Sequence, residues 1–191
     1  MNRNFLSGLC GFLMMAGLAQ LAQADDYKAD PVHSAVIFSV HHFDAGYVYG
    51  SFIGPTGTIT YDADDPTKSS FDLTVNVDSL DTRQQNRDND LKGPDFFDVK
   101  QFPTMTFKST SVKKTSDTQL EVTGDLTLHG QTKSVTVTMD LTGTGKSPQG
   151  ETRSGFETHF SINRSDYGMN YEAPAIGDEV RIIVAVEGIK Q

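Results

Sequence analysis

The run DTRQQNRDNDLKGPDFFDVKQFPTMTF, residues 81–107, decides how the rest of the chain is read. Almost everything else after residue 26 alternates apolar and polar residues, the period-two pattern of half-buried β-strand. This run does not. It sets charge at Arg83, Arg87, Asp88 and Asp90 against a bulky apolar group, Phe96, Phe97, Val99 and Phe102, punctuated by Gly93-Pro94 and Pro103. A long irregular connection inside a compact β domain is uncommon and is often functional. Its plain structural role is a cover that blunts a sheet edge or plugs one end of a barrel. Helix formers from Gln84 to Leu91, with Thr82 as a candidate N-cap, predict a short helix within it.

Upstream of the run, Val36, Phe38 and Val40 share one strand face, opposed by His33, Ala35, Ile37, Ser39 and His41. Tyr47 to Phe52 and Thr56 to Tyr61 are expected to pair as a hairpin about Gly54-Pro55. Phe71, Leu73, Val75 and Val77 alternate with Asp72, Thr74, Asn76 and Asp78. Downstream, Met105 and Phe107 resume the alternation. Leu120, Val122, Leu126 and Leu128 read as one long strand bent or bulged at Gly124. Val135 to Leu141, Phe156 to Ile162 and Val180 to Val186 complete the set. About eight antiparallel strands, with turns at Asp64-Asp65-Pro66, Ser116-Asp117, His129-Gly130 and Lys146 to Gly150, imply a sandwich or an up-and-down barrel. The pattern does not choose between them.

The first 24 residues read as a secretory signal peptide. Arg3 gives a basic start, LCGFLMMAGLA (9–19) is an apolar stretch too short to span a bilayer, and Ala22-Gln23-Ala24 places cleavage after Ala24. Lipid attachment at Cys10 fits poorly, because Leu9 precedes it where a small residue is expected. One domain, residues 25–191, remains. The sole cysteine leaves with the leader, so stability in an oxidising compartment must come from packing and hydrogen bonds. The leader also removes one Arg and no acid, taking the formal charge from −9 to −10. Such an acidic chain is a poor match for nucleic acid or an anionic membrane surface. The mature sequence holds no apolar segment long enough to cross a membrane and is expected to be soluble.

No catalytic constellation stands out. His33 and Ser34 are strand neighbours that point to opposite faces, and there is no G-x-S-x-G elbow. His33, His41, His42, His129 and His159 lack metal-ligand spacing, and GPTGT (54–58) reads as a hairpin turn, not a phosphate loop. No catalytic residue, metal ligand or cofactor is therefore expected. An apolar interior is expected from Phe38, Val40, Phe71, Leu73 and Val75, from Met105 and Phe107, and from Val137, Met139, Phe160, Ile182 and Val184. Met and Phe suit flexible hydrocarbon chains, yet the same stripe would serve an ordinary filled core.

A resemblance resolves these alternatives. RDNDLKGPDFFDV (87–99), followed by FPTMTF (102–107) and GDLTLHG (124–130), resembles the signature of the YceI-like family. HSAVIFSVHHF (33–43), YGSF (49–52), DSLDT (78–82), NRSDYGM (163–169) and GDEV (177–180) extend it across nearly the whole mature chain in order. It implies a periplasmic or secreted protein with an all-β, eight-stranded antiparallel lipocalin-like barrel, one short helix and an irregular lid. It also implies an isoprenoid-type lipid as ligand: a polyprenyl phosphate, a quinone, or a fatty amide or acid. Phe96, Phe97 and Phe102 would then form the lid over an apolar channel. Arg87 would offer its guanidinium fork to the head group, held in place by Asp88. Arg87 and Asp88 could equally form a salt bridge that only pins the lid. His33, Asn163 and Arg164 are weaker head-group candidates. The other readings are a stress-related structural protein with a filled core and a quinone carrier for a redox partner. Family resemblance implies dimers, although no stripe in the sequence requires one. Asn170 to Ile176 departs from the family pattern, which puts the nearby loop in doubt.

Overall fold

Residues 24–191 are described in the computed structural model, and their alternating stretches close on themselves rather than splitting into two sheets. The expected leader, apart from Ala24, lies outside the described residues. The strands are β1 (Asp25–Ala29), β2 (Ala35–His42), β3 (Gly46–Ile53), β4 (Thr56–Tyr61), β5 (Ser70–Asn76) and β6 (Leu80–Asp81). After the helix α1 (Gln85–Leu91) come β7 (Thr104–Lys114), β8 (Gln119–Leu128), β9 (Gln131–Lys146), β10 (Thr152–Asn163) and β11 (Ile176–Lys190). Around the barrel the order is β1-β4-β5-β7-β8-β9-β10-β11, and β11 pairs back to β1, so an eight-stranded antiparallel barrel closes. β2, β3 and β6 prolong three of these strands beyond a bend. The C-terminal part of β11 pairs with β1 and its earlier part with β2. β1 was not legible in the alternation.

The bends correct one expectation. Tyr47 to Phe52 and Thr56 to Tyr61 do not pair with each other. β3 pairs with β2 and β6, whereas β4 pairs with β1 and β5. Gly54-Pro55 is therefore a kink within one bent strand. Gly54 takes a left-handed φ of 69°, and Pro55 has no N–H to give a ladder. Near Gly124 the irregularity falls on the partner strand instead, where the β7 register slips between Ser109 and Ser111. Gly124 itself makes room, since a Cβ there would lie 2.5 Å from the Phe107 ring.

The alternation sets which side chains meet inside. In β5 it is strict: Phe71, Leu73 and Val75 are buried, while Ser70, Asp72 and Asn76 are exposed. The lower end carries the 62–69, 115–118 and 147–151 connections. There Tyr27, Ile59, Phe71, Val122, Phe156 and Val186 form one packed cluster. Phe71 and Tyr61 both meet Phe156 edge-on, at 5.3 and 5.5 Å between ring centres. Each fully buried side chain of this size contributes roughly 1.5–3 kcal/mol of transfer free energy. The lower half of the barrel is filled.

Candidate functional site: a channel under the lid

The upper half is hollow. A cavity of about 710 Å³ lies beneath residues 82–103, walled by Val36, Phe38 and Val40 of β2, Val48 and Phe52 of β3, and Val180 and Ile182 of β11. Met105, Leu128 and Ile162 complete the wall. A second space of about 100 Å³ shares Val36, Met105, Leu128, Ile162 and Ile182 with it. It reaches down to Leu73, Val75, Phe107, Val137, Met139 and Phe160. The two form one apolar channel that stops above the packed cluster of Phe71 and Phe156. Its size falls in the range of about 300–1,000 Å³ usual for ligand pockets. Charged groups gather at the mouth, Arg87, Asp90, Asp95, Arg164 and Glu172, with His42 beside them.

The lid is built by local hydrogen bonds. The Gln84 side chain, not Thr82, caps α1 by accepting from the Arg87 N–H at 2.7 Å. Arg83 and Asp98 hold left-handed φ values of 62° and 42°. Phe96 N–H and Asp98 N–H both return to the Gly93 carbonyl, and Phe102 N–H to that of Asp98. The three lid phenylalanines part company. Phe97 turns inward, edge-on to Phe52 at 5.4 Å and to Phe38 at 6.4 Å. Phe96 meets Tyr171 edge-on at 5.3 Å, at the cavity's rim. Phe102 packs at a tilt against His129, 4.5 Å between ring centres, over Gly130. The lid is thus tied to the barrel wall, to the 164–175 loop and to the β8–β9 turn.

Phe38, Val40, Arg87, Phe96, Phe97 and Met105 line the main cavity, and Leu73, Val75, Phe107, Met139 and Phe160 line its extension. Three residues expected at the ligand line neither space. Phe71 is 1 % exposed within the packed lower cluster, one turn of alternation too low. Phe102 points at His129. Asp88 is buried, and Oδ1 accepts from the Thr82 N–H at 2.8 Å and from its hydroxyl at 2.6 Å.

The expected Arg87–Asp88 ion pair is also absent among the described residues, because both close on Thr82. Arg87 Nε donates to the Thr82 hydroxyl oxygen, and Nη2 to its carbonyl, each at 2.8 Å. The Thr82 hydroxyl hydrogen bond holds the Asp88 carboxyl below the usual carboxylate range, against the opposing effect of burial. His33 and Asn163 line neither space.

Arg164 shapes the mouth more than its sequence context suggested. It is 4 % exposed. Nε, Nη1 and Nη2 donate to the carbonyls of Gly177 (2.9 Å), Met169 (2.7 Å) and Ile176 (2.9 Å). Burial pulls the pKa of this guanidinium below its ordinary value, with Asp178 opposing. No local signal marks Arg164 as the organiser of residues 169–177, since its partners are backbone carbonyls of the loop residue Met169 and of Ile176 and Gly177 at the start of β11.

A second polar cluster lies at the β1–β2 bend. Asp30, His33 and Glu187 present ligand-type atoms to one another. Arg153 sits among them, donating to Asp30 Oδ2 at 2.8 Å and to Glu187, so the carboxylates already have a cation. This cluster pins the bend to β10 and β11.

The profile of the YceI-like domain family matches residues 27–188. Protein YceI of Escherichia coli O157:H7 is 40% identical over 172 residues, covering 89% of this chain and 90% of that one. The structure of Burkholderia cenocepacia BcnA superposes with a TM-score of 0.76 at 23% identity, over 83% of this chain and 98% of that one. A polyisoprenoid binding domain from Saccharophagus degradans, implicated in plant cell wall breakdown, superposes with a TM-score of 0.63 at 14% identity, over 86% and 98%.

Proposed function

The chain belongs to the YceI-like family, and on that premise we propose that it is a non-catalytic carrier, exported to the periplasm, that sequesters or transports an isoprenoid-type amphiphile. The observation that carries the reading is the division of the barrel: packed below, hollow and apolar above, with charge confined to the mouth. A hydrocarbon tail gains by leaving water for such a channel, roughly 0.8 kcal/mol per buried methylene. A head group would stay at the mouth, where Arg87 lies with Nη1 uncommitted among the described residues. A phosphate, a quinone carbonyl or an amide would each accept from it. The polyisoprenoid-binding neighbour supports the ligand class through shared fold. A structural protein with a filled core would not leave about 710 Å³ beneath a lid.

Native mass spectrometry of the protein purified from periplasm, followed by organic extraction, tests the reading. A carrier retains a lipid mass that extraction releases, and N-terminal sequencing of the same material begins at Asp25. A bare chain that also fails to take up added polyprenols would overturn it.

A further inference from the structure

β9 and β10 do not stay together. Their ladder runs from Thr152–Lys146 to Thr158–Met139 and stops. Beyond it, Gln131 to Thr138 of β9 pair only with β8, and His159 to Asn163 of β10 only with β11. Among the described residues no backbone hydrogen bond crosses between these two stretches. The side chain of Thr158 marks the parting: its hydroxyl, buried, donates to the Thr138 carbonyl at 2.7 Å. At the far end, His129 Nδ1 donates to the Tyr167 carbonyl at 3.0 Å and straps the strands' upper ends. What lies between is a gap in the backbone ladder of the barrel wall, where unpaired backbone is otherwise rare.

Val135 and Val137 from β9, and Phe160 and Ile162 from β10, form its inner margins, and all four line the lower part of the channel. Val135 and Phe160 are half-buried. The channel cannot continue downward, because Ile59 and Val122 at 0 % exposure and Phe71 at 1 % close the barrel axis. A chain that fills the space below the lid has this apolar gap as its continuation.

We propose that the gap between β9 and β10 is a side exit for the distal tail of a long-chain amphiphile. The inference rests on the carrier reading above and adds to it a route for tails longer than the channel. It makes this wall, rather than barrel depth, the determinant of chain-length tolerance.

The test uses a short-chain and a long-chain polyprenol with the mature protein. Thr136, exposed beside the gap, is replaced by Cys and labelled with an environment-sensitive fluorophore; residues 25–191 contain no other cysteine. The label should shift to the blue with the long alcohol and stay unchanged with the short one. In Val135→Trp, which adds bulk at the gap, affinity for the long alcohol should fall at least tenfold more than affinity for the short one. If Val135→Trp fails to fold, the labelled variant decides alone. Equal label response to both alcohols, or an equal change in affinity for both in a folded Val135→Trp, overturns the exit. If the wild type binds neither alcohol, the carrier reading fails first, a separate outcome.

Discussion

The carboxylate of Asp88 accepts both the backbone N–H and the hydroxyl of Thr82, six residues earlier, and so folds the start of the lid back onto its helix. Both residues are buried. A buried donor left without a partner costs about 1–3 kcal/mol. Asp88→Ala orphans two. The variant should lose about 2–4 kcal/mol in denaturant unfolding, and amide exchange should speed up across residues 82–103 while the lower strands stay protected. Unchanged stability would show that Thr82 finds other partners and that the lid is held elsewhere.

Arg87 also closes on Thr82, which separates two effects that the sequence left entangled. Arg87→Met keeps the apolar stem and loses two hydrogen bonds, so the ligand-free protein should melt lower by the equivalent of about 1 kcal/mol. If Nη1 also grips a head group, affinity for a polyprenyl phosphate should drop about tenfold to a hundredfold beyond the effect on the matching alcohol. Equal losses for phosphate and alcohol would leave Arg87 a lid residue only.

Phe71 and Phe107 are indistinguishable in the alternating pattern but lie at different depths. Phe71 belongs to the packed lower cluster, and Phe71→Ala should cost about 3–5 kcal/mol while leaving the channel lining intact. Phe107 is partly buried and lines the channel. Phe107→Ser should cost less stability and should weaken lipid retention, because it sets a hydroxyl on the hydrocarbon path. Paired unfolding and lipid-extraction measurements on both variants check this. A reversed order would place the boundary between packed and hollow halves wrongly.

Acid should loosen the β1–β2 bend. The hydrogen bond from His33, with those from Val32 N–H and Arg153, holds the Asp30 carboxyl at about 2, below its ordinary 3.8. A folded pKa lowered in this way adds stability that is complete above 3.8 and is lost as pH falls through about 2. Wild-type stability should therefore decline across that interval. Asp30→Asn should be less stable at neutral pH by roughly 1.5–3 kcal/mol and should show a shallower acid slope. Parallel slopes in thermal melts of the two proteins would remove Asp30 from the account.

Local sequence determined the strand content, the face each side chain takes, and the presence of an irregular segment at residues 81–107, because period-two alternation and turn residues act over a few positions. Through the family resemblance, the order of motifs also indicated the barrel. Tertiary structure alone decided what those faces meet. Phe71, Leu73 and Phe107 share an inward face, yet only the sum of side chains around eight strands at each level determines whether that level is packed or hollow. Arg87 and Asp88 looked like partners because opposite charges adjoin, but Thr82 returns to them through a left-handed turn at Arg83 that no short-range pattern announces. The kink at Gly54-Pro55 and the parting of β9 from β10 belong to the same class. Each depends on which strand lies across the ladder, a relation between residues far apart in the chain.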